Sequence, residues 1–191
     1  MLWAMSRWKP DAVTRLEAAA MELYLERGYE QTTVAEIARN ADLTERTFFR
    51  HFADKREVLF KGSEWFQELF VEAIAAAPAS ATPREAVQAG LDAAGRTFHG
   101  RRERSRRRHA IIGSHPELQE RELIKMASLA TAMAAALRER GAADLTASVT
   151  AETAVAVFRV GYERWVTSDD DRELATHLAD AVAELRVATG G

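Results

Sequence analysis

The chain has 191 residues, 47% hydrophobic and 29% charged, enough for one or two small domains with a packed core and against wholesale disorder. It has no cysteine, which excludes disulfides, cysteine-type zinc sites, iron–sulfur clusters and a catalytic thiol. The formal net charge of −3 argues against coating nucleic acid by bulk charge, while leaving room for a small local DNA-reading element.

Asp11 is placed to cap a first helix, with Ala12, Leu16, Ala19 and Leu23 at three- and four-residue spacing. Gly28 ends it. Thr33 followed by Glu36 is a capping box opening a second helix of about two turns through Asn40. Ala41, Asp42 and Leu43 make a tight break. Thr44 caps a third short helix, with Phe48 and Phe52 one turn apart on one face. A fourth helix is expected from Asp54 to Ala77, with Trp65, Phe66, Leu69 and Phe70 among its apolar positions. Residues 78–83 connect, with Thr82 capping and Pro83 at the first helical position. Further helices are expected over 83–98, 101–112, 116–140, 144–167 and 169–187. Ala is the most helix-favouring residue and supplies 37 positions. No alternating strand pattern and no internal repeat is seen. The fold class is therefore all-α, about nine helices. Two domains are expected, 1–53 and 54–191. The start, residues 1–7, lacks a signal-peptide core, and no apolar run reaches a membrane-spanning length, so a cytoplasmic location is expected.

Residues 32–55 carry the function. Two short helices separated by a three-residue turn form a helix-turn-helix, whose second helix enters the major groove. Arg46 suits a guanine edge, Thr44 and Thr47 a thymine methyl, and Glu45 a cytosine amine. Thr33 is placed to meet a phosphate at a helix start. His51 and Lys55 are placed to grip the flanking backbone. The bland alternative is an ordinary helical pair in a bundle.

The run Thr32-Thr-Val-Ala-Glu-Ile-Ala-Arg-Asn-Ala-Asp-Leu-Thr-Glu-Arg-Thr-Phe-Phe-Arg-His-Phe-Ala-Asp-Lys-Arg-Glu-Val-Leu59 resembles the N-terminal domain of TetR-family transcriptional regulators. The resemblance covers about residues 11–60. It implies an all-helical homodimer whose first three helices bind double-stranded DNA, and whose remainder binds a small effector and dimerises through the last two helices. By position it implies phosphate contact for Thr33, base contact for Glu45, Arg46 and Thr47, and backbone contact for Phe49, His51 and Lys55. Many members carry Tyr at position 49, and Phe49 lacks the hydroxyl that bonds a phosphate. Residues 106–123 resemble the effector domain of a subgroup that includes mycofactocin-system regulators, which implies a ligand such as an acyl-coenzyme A. The expected protein is a repressor on a palindromic operator, released when a ligand tilts the fourth helix. No enzyme activity, cofactor, metal site or membrane partner is expected. The Ala- and Arg-rich composition points to a GC-rich bacterial source.

Candidate ligand-lining residues are Phe66, Phe70, Phe98, Ile112, Met126 and Phe158, by the apolar character of such sites. Leu178 and Leu185 are expected at the dimer interface. Residues 101–108 hold six Arg and one Glu. Two readings stand for them: a solvated face paired with carboxylates, or a site for a phosphorylated ligand. A second class of function is a helical enzyme or small-molecule carrier without specific DNA binding. Enrichment of a palindromic duplex separates the two.

Overall fold

The computed structural model describes residues 11–190, so the expectation drawn from residues 1–7 lies outside the described residues. Among these, the elements are helices throughout: α1 Ala12–Arg27, α2 Val34–Asn40, α3 Glu45–His51, α4 Glu57–Phe60, α5 Ser63–Ala76, α6 Pro83–Thr97, α7 Arg102–Gly113, α8 Pro116–Glu139, α9 Asp144–Thr167 and α10 Leu174–Thr189. They form two compact units, one ending at Lys61 and the other starting at Gly62.

In the first unit the expected caps are present. The Asp11 carboxylate accepts from the Thr14 amide at 2.8 Å, and Gly28 follows α1 with φ 85°. Leu16, Ala20, Leu23 and Tyr24 of α1 pack with Ile37 and Ala38 of α2 and Phe48 of α3 in the buried centre. The Phe48 and Phe52 rings lie 5.3 Å apart, which fixes the inner face of α3.

The expected fourth helix is two helices. α4 ends at Phe60, and Gly62 takes a left-handed conformation (φ 94°) before α5 begins at Ser63. A residue with a Cβ is strained there, so Gly62 stops one helix and starts the next. The first unit extends to Lys61 rather than to residue 53, because Val58, Leu59 and Phe60 are buried and α4 packs on α1.

The second unit is a bundle of α5, α6, α8, α9 and α10 with α7 laid against α8 and α9. Its core runs through Phe70, Ile74, Leu91, Met133, Leu137, Phe158, Trp165 and Leu174. The last helix begins at Leu174 and not at residue 169. The intervening backbone is taken by other partners: the Asp170 carboxylate accepts from the Arg172 amide at 3.0 Å, and the Asp170 carbonyl accepts from Arg102. Leu178 is buried inside the protomer against α9, and Leu185 packs half-buried on the same core. Leu178 is therefore a core residue and not an interface residue, because the inner stripe of α10 needs it to close on α9.

α6 approaches α10 at Gly95, where a Cβ would lie 2.9 Å from both Cα and Cβ of Ala175. Backbone on the far side cannot swing away. Gly95→Ala is expected to destabilise the fold by roughly 1–3 kcal/mol. Chemical denaturation checks this, and a midpoint equal to that of the parent would show that the helices can part without cost.

Candidate functional site

The first unit presents a short helix whose outer face is free of core duty. Thr33 opens α2 with a complete capping box: its hydroxyl accepts from the Glu36 amide at 3.3 Å, and the Glu36 carboxylate takes the Thr33 amide at 2.9 Å. The Thr33 hydroxyl also donates to Glu36 at 2.8 Å. These bonds, the Thr33 amide first, hold the Glu36 carboxyl below the usual carboxylate range. A phosphate at Thr33 would have to meet its amide or hydroxyl beside that carboxylate. Thr44 caps α3 by accepting from the Thr47 amide at 3.2 Å.

α2 and α3 are joined by a turn in which Asp42 has φ 51°. Asp is among the few residues other than Gly that visit this region readily. The turn is held from α1, where the Arg15 guanidinium donates to the Ala41 carbonyl and lies 3.4 Å from the Asp42 carboxylate. With Phe48 buried, the opposite face of α3 projects outward. Thr44, Glu45 and Arg46 are exposed there, Thr47 and His51 are half-buried, and Phe49 is 55% exposed. Arg46 has no ion-pair or hydrogen-bond partner among the described residues, so its planar fork of donors is unspent. Seven of the eight expected DNA-contacting residues thus lie on or next to α2 and α3 with outward or half-outward placement.

Lys55 is the exception. Its ammonium donates to the Tyr29 carbonyl at 2.9 Å and the Thr32 carbonyl at 3.1 Å, and it lies 4.3 Å from the centre of the Tyr29 ring. All its attraction is spent on the turn between α1 and α2. In return the Tyr24 hydroxyl donates to the Lys55 carbonyl at 2.6 Å. Burial pushes the Tyr24 phenol above its ordinary pKa, so it stays a donor. Lys55 is a clamp that positions the start of α2, and the expected backbone grip does not describe the bonds it makes. Residue pattern placed it beside the reader but did not show which way its ammonium turns.

In the second unit four of the expected ligand-lining residues meet. Phe66 lies 5.2 Å from Phe70, 5.9 Å from Phe98 and 5.0 Å from Phe158, ring centre to ring centre. Tyr162 and Trp165 complete the cluster, 5.7 and 6.0 Å from Phe98. Met126 packs half-buried on the same core, while Ile112 is buried on α7 outside that cluster.

The Arg-rich run resolves into separate tasks. Arg102 donates to the Ser168 and Asp170 carbonyls, and Arg106 to the Val166 and Ser168 carbonyls at 2.8 Å, so both close the carboxyl end of α9. Such ends leave four carbonyls without backbone donors and carry partial negative charge. Arg107 pairs with Glu103 on its own helix, and Arg108 reaches Glu122 on α8. The reading of a solvated face is too simple for Arg102 and Arg106. Sequence reasoning also missed Arg15, Tyr24, Arg39 and Arg50. The last two are exposed cations on α2 and α3, and their placement opposite the buried Ile37 and Phe48 was the available signal.

A capped, aromatic-anchored helix-turn-helix joined in one chain to an all-helical bundle defines a helix-turn-helix regulatory protein. Residues 16–61 match the family described as bacterial regulatory proteins, tetR family, and residues 81–189 match the MftR C-terminal domain. The chain belongs to the TetR family. The regulator TcmR of Streptomyces glaucescens is 42% identical over 74 residues, which span 39% of this chain and 33% of TcmR. The chain thus matches only about a third of that relative's length. The fold is shared with FadR from Thermus thermophilus, a TetR-family repressor solved with lauroyl-CoA. The TM-score is 0.56 at 23% identity over 91% of this chain and 92% of that one. It is also shared with the fatty acid degradation regulator FadR from Bacillus halodurans, with TM-score 0.55 and 19% identity over 93% and 95%. Among the described residues no helix is long and apolar enough to cross a membrane.

Lys55→Met removes the donor to the Tyr29 and Thr32 carbonyls. It is expected to lower the stability of the first unit by roughly 1–3 kcal/mol, read by thermal unfolding. The salt dependence of DNA binding should stay that of the parent. Unchanged melting with a salt slope reduced by about one would instead assign Lys55 to a phosphate.

Proposed function

We propose that the protein is a repressor that binds a palindromic operator as a homodimer, in the cytoplasm, and is released by a small apolar or acyl-type effector. The observation that carries this reading is the outward face of α3, where Glu45, Arg46 and Thr47 stand exposed or half-exposed at the start of a helix anchored by Phe48. Arg46 would donate in pairs to a guanine edge, Glu45 would accept from a cytosine amine, and Phe49 would rest on a sugar or thymine methyl. Thr33, Thr44 and His51 would meet the flanking phosphates. Two such helices in one dimer would lie about 34–36 Å apart, or a modest multiple of one helical turn. No catalytic role is proposed.

Dimerisation through α9 and α10 is supported by what they leave uncovered. α9 exposes Leu145 (75%), Val149 (56%) and Val160 (53%), and α10 exposes Val187 (78%). Leu145, Val149 and Val160 fall at helical spacings along one face, as an apolar seam between paired helices requires. Effector binding in the second unit is supported by the Phe66, Phe70, Phe98 and Phe158 cluster. An acyl chain as the apolar part of the effector is supported by analogy with the lauroyl-CoA bound by the Thermus relative. The ligand must favour the DNA-incompetent state, and about 1–3 kcal/mol of coupling is typical.

Selection of duplexes from a random pool by the purified protein tests the reading, with a palindromic consensus as the expected result. No enrichment by folded, ligand-free protein would overturn it. Arg46→Ala should weaken the cognate site by roughly 1–3 kcal/mol and relax preference at one base position. Val149→Asp should give monomers with the helical spectrum retained, as read by sedimentation. Dimers unchanged in that variant would move the interface elsewhere.

A further inference from the structure

Within the Arg-rich run, Arg108 differs from its neighbours in what it holds. Arg102 and Arg106 are spent on main-chain carbonyls, and Arg107 on a carboxylate of its own helix. Arg108 instead makes a two-pronged ion pair across helices, 3.2 and 2.7 Å from the two oxygens of Glu122. Both side chains are about a quarter exposed, 25% and 29%. The pair lies against Tyr162, whose hydroxyl interacts with Arg108 and is 3.4 Å from the Ser105 carbonyl, a long and weak bond. Tyr162 is also the polar member of the aromatic cluster, with its ring stacked 5.7 Å from Phe158 and edge-on 5.7 Å from Phe98. Burial raises the Tyr162 phenol above its ordinary pKa and keeps the proton on it. The His109 ring stands 6.4 Å from that of Tyr162.

A guanidinium and a phenol thus meet at the edge of an apolar wall, with a carboxylate already seated on the guanidinium. Removing one partner from such a pair leaves a charge unmatched. Exchanging one carboxylate for another keeps both bonds of the fork. The displaced Glu122 side chain, already 29% exposed, must carry its charge out into water, and burial of the ligand's apolar body drives the exchange forward.

We infer that Arg108 is the anion-recognising residue of the effector site, and that the effector is an amphiphilic carboxylate whose head displaces Glu122 while its apolar body lies on Phe98, Phe158 and Tyr162. The inference rests on the ligand-responsive reading above and adds the chemical class of the ligand. Release of Glu122 removes one tie between α7 and α8, which gives the ligand a handle on the packing of the second unit. A neutral amphiphile lacks the head that exchanges. A thioester of coenzyme A carries its charges on phosphates far from the acyl carbonyl, so its affinity would not track position 122.

The test uses dodecanoate, dodecanol and lauroyl-CoA as probes, titrated calorimetrically into the full chain, with retention of the selected operator followed in parallel samples. Dodecanoate is expected to bind better than dodecanol. Glu122→Gln removes the internal competitor and is expected to tighten dodecanoate by roughly tenfold, while Arg108→Gln weakens it by a similar factor. A merely structural pair predicts weakening in both variants. If Arg108→Gln fails to fold, Glu122→Gln carries the test alone, because only exchange predicts tightening. Equal binding of acid and alcohol, no binding of dodecanoate, or an unchanged or weaker Glu122→Gln overturns the inference. Operator release by lauroyl-CoA or dodecanol with no carboxylate preference overturns it while leaving the ligand-responsive reading intact. Carboxylate exchange at Arg108 in a folded protein that selects no operator overturns the regulator reading instead.

Discussion

Helix ends and tight turns leave carbonyl oxygens that no backbone donor can reach. In this protein cationic side chains from distant parts of the chain supply the missing donors. Lys55 closes the turn between α1 and α2, Arg15 the turn between α2 and α3, Arg102 and Arg106 the end of α9. Arg140, from the end of α8, does the same for the end of α5 by donating to the Ala77 carbonyl at 2.8 Å and the Pro78 carbonyl at 2.6 Å. Short helices such as α2 and α3 have too few internal bonds to be stable by themselves. Their geometry depends on these clamps and on the buried rings of Phe48 and Phe52.

This arrangement explains why a chain of net negative charge can carry a DNA-reading element. Much of its cationic charge is not a surface field. It is consumed as hydrogen-bond donors at fixed places, and the guanidinium suits that task because it offers five donors in a planar fork. Arg46 stands on the outward face of α3 without a partner among the described residues. A small local site needs only a handful of such groups, whereas a protein that coats nucleic acid needs a net basic surface.

The second unit separates packing from chemistry in a similar way. Its aromatic residues fill one cluster in edge-to-face and stacked contacts, and Gly90 makes room for the Phe70 ring. At the edge of that cluster Tyr162 sets a polar group beside the Arg108–Glu122 pair. The apolar residues left uncovered on α9 and α10 lie outside the protomer core, and their exposure has no internal explanation.

The sequence alone determined the helical class, most helix boundaries, the Thr33 capping box and the helix-turn-helix, because caps, glycines and apolar spacing act over three or four residues. It marked Phe66, Phe70, Phe98 and Phe158 as apolar positions of helices, and the tertiary packing brought their rings together. The break at Gly62 was legible in principle, since a glycine stood inside an otherwise continuous apolar period. What each cation does was not legible. Lys55 bonds a turn more than twenty residues away, Arg102 and Arg106 reach α9 some sixty residues on, and Leu178 faces α9 rather than solvent. A long side chain on a helix can turn to solvent, to its own helix or to a distant carbonyl. Spacing along the chain is the same in all three cases, so only the tertiary packing, which decides what lies within reach, selects among them.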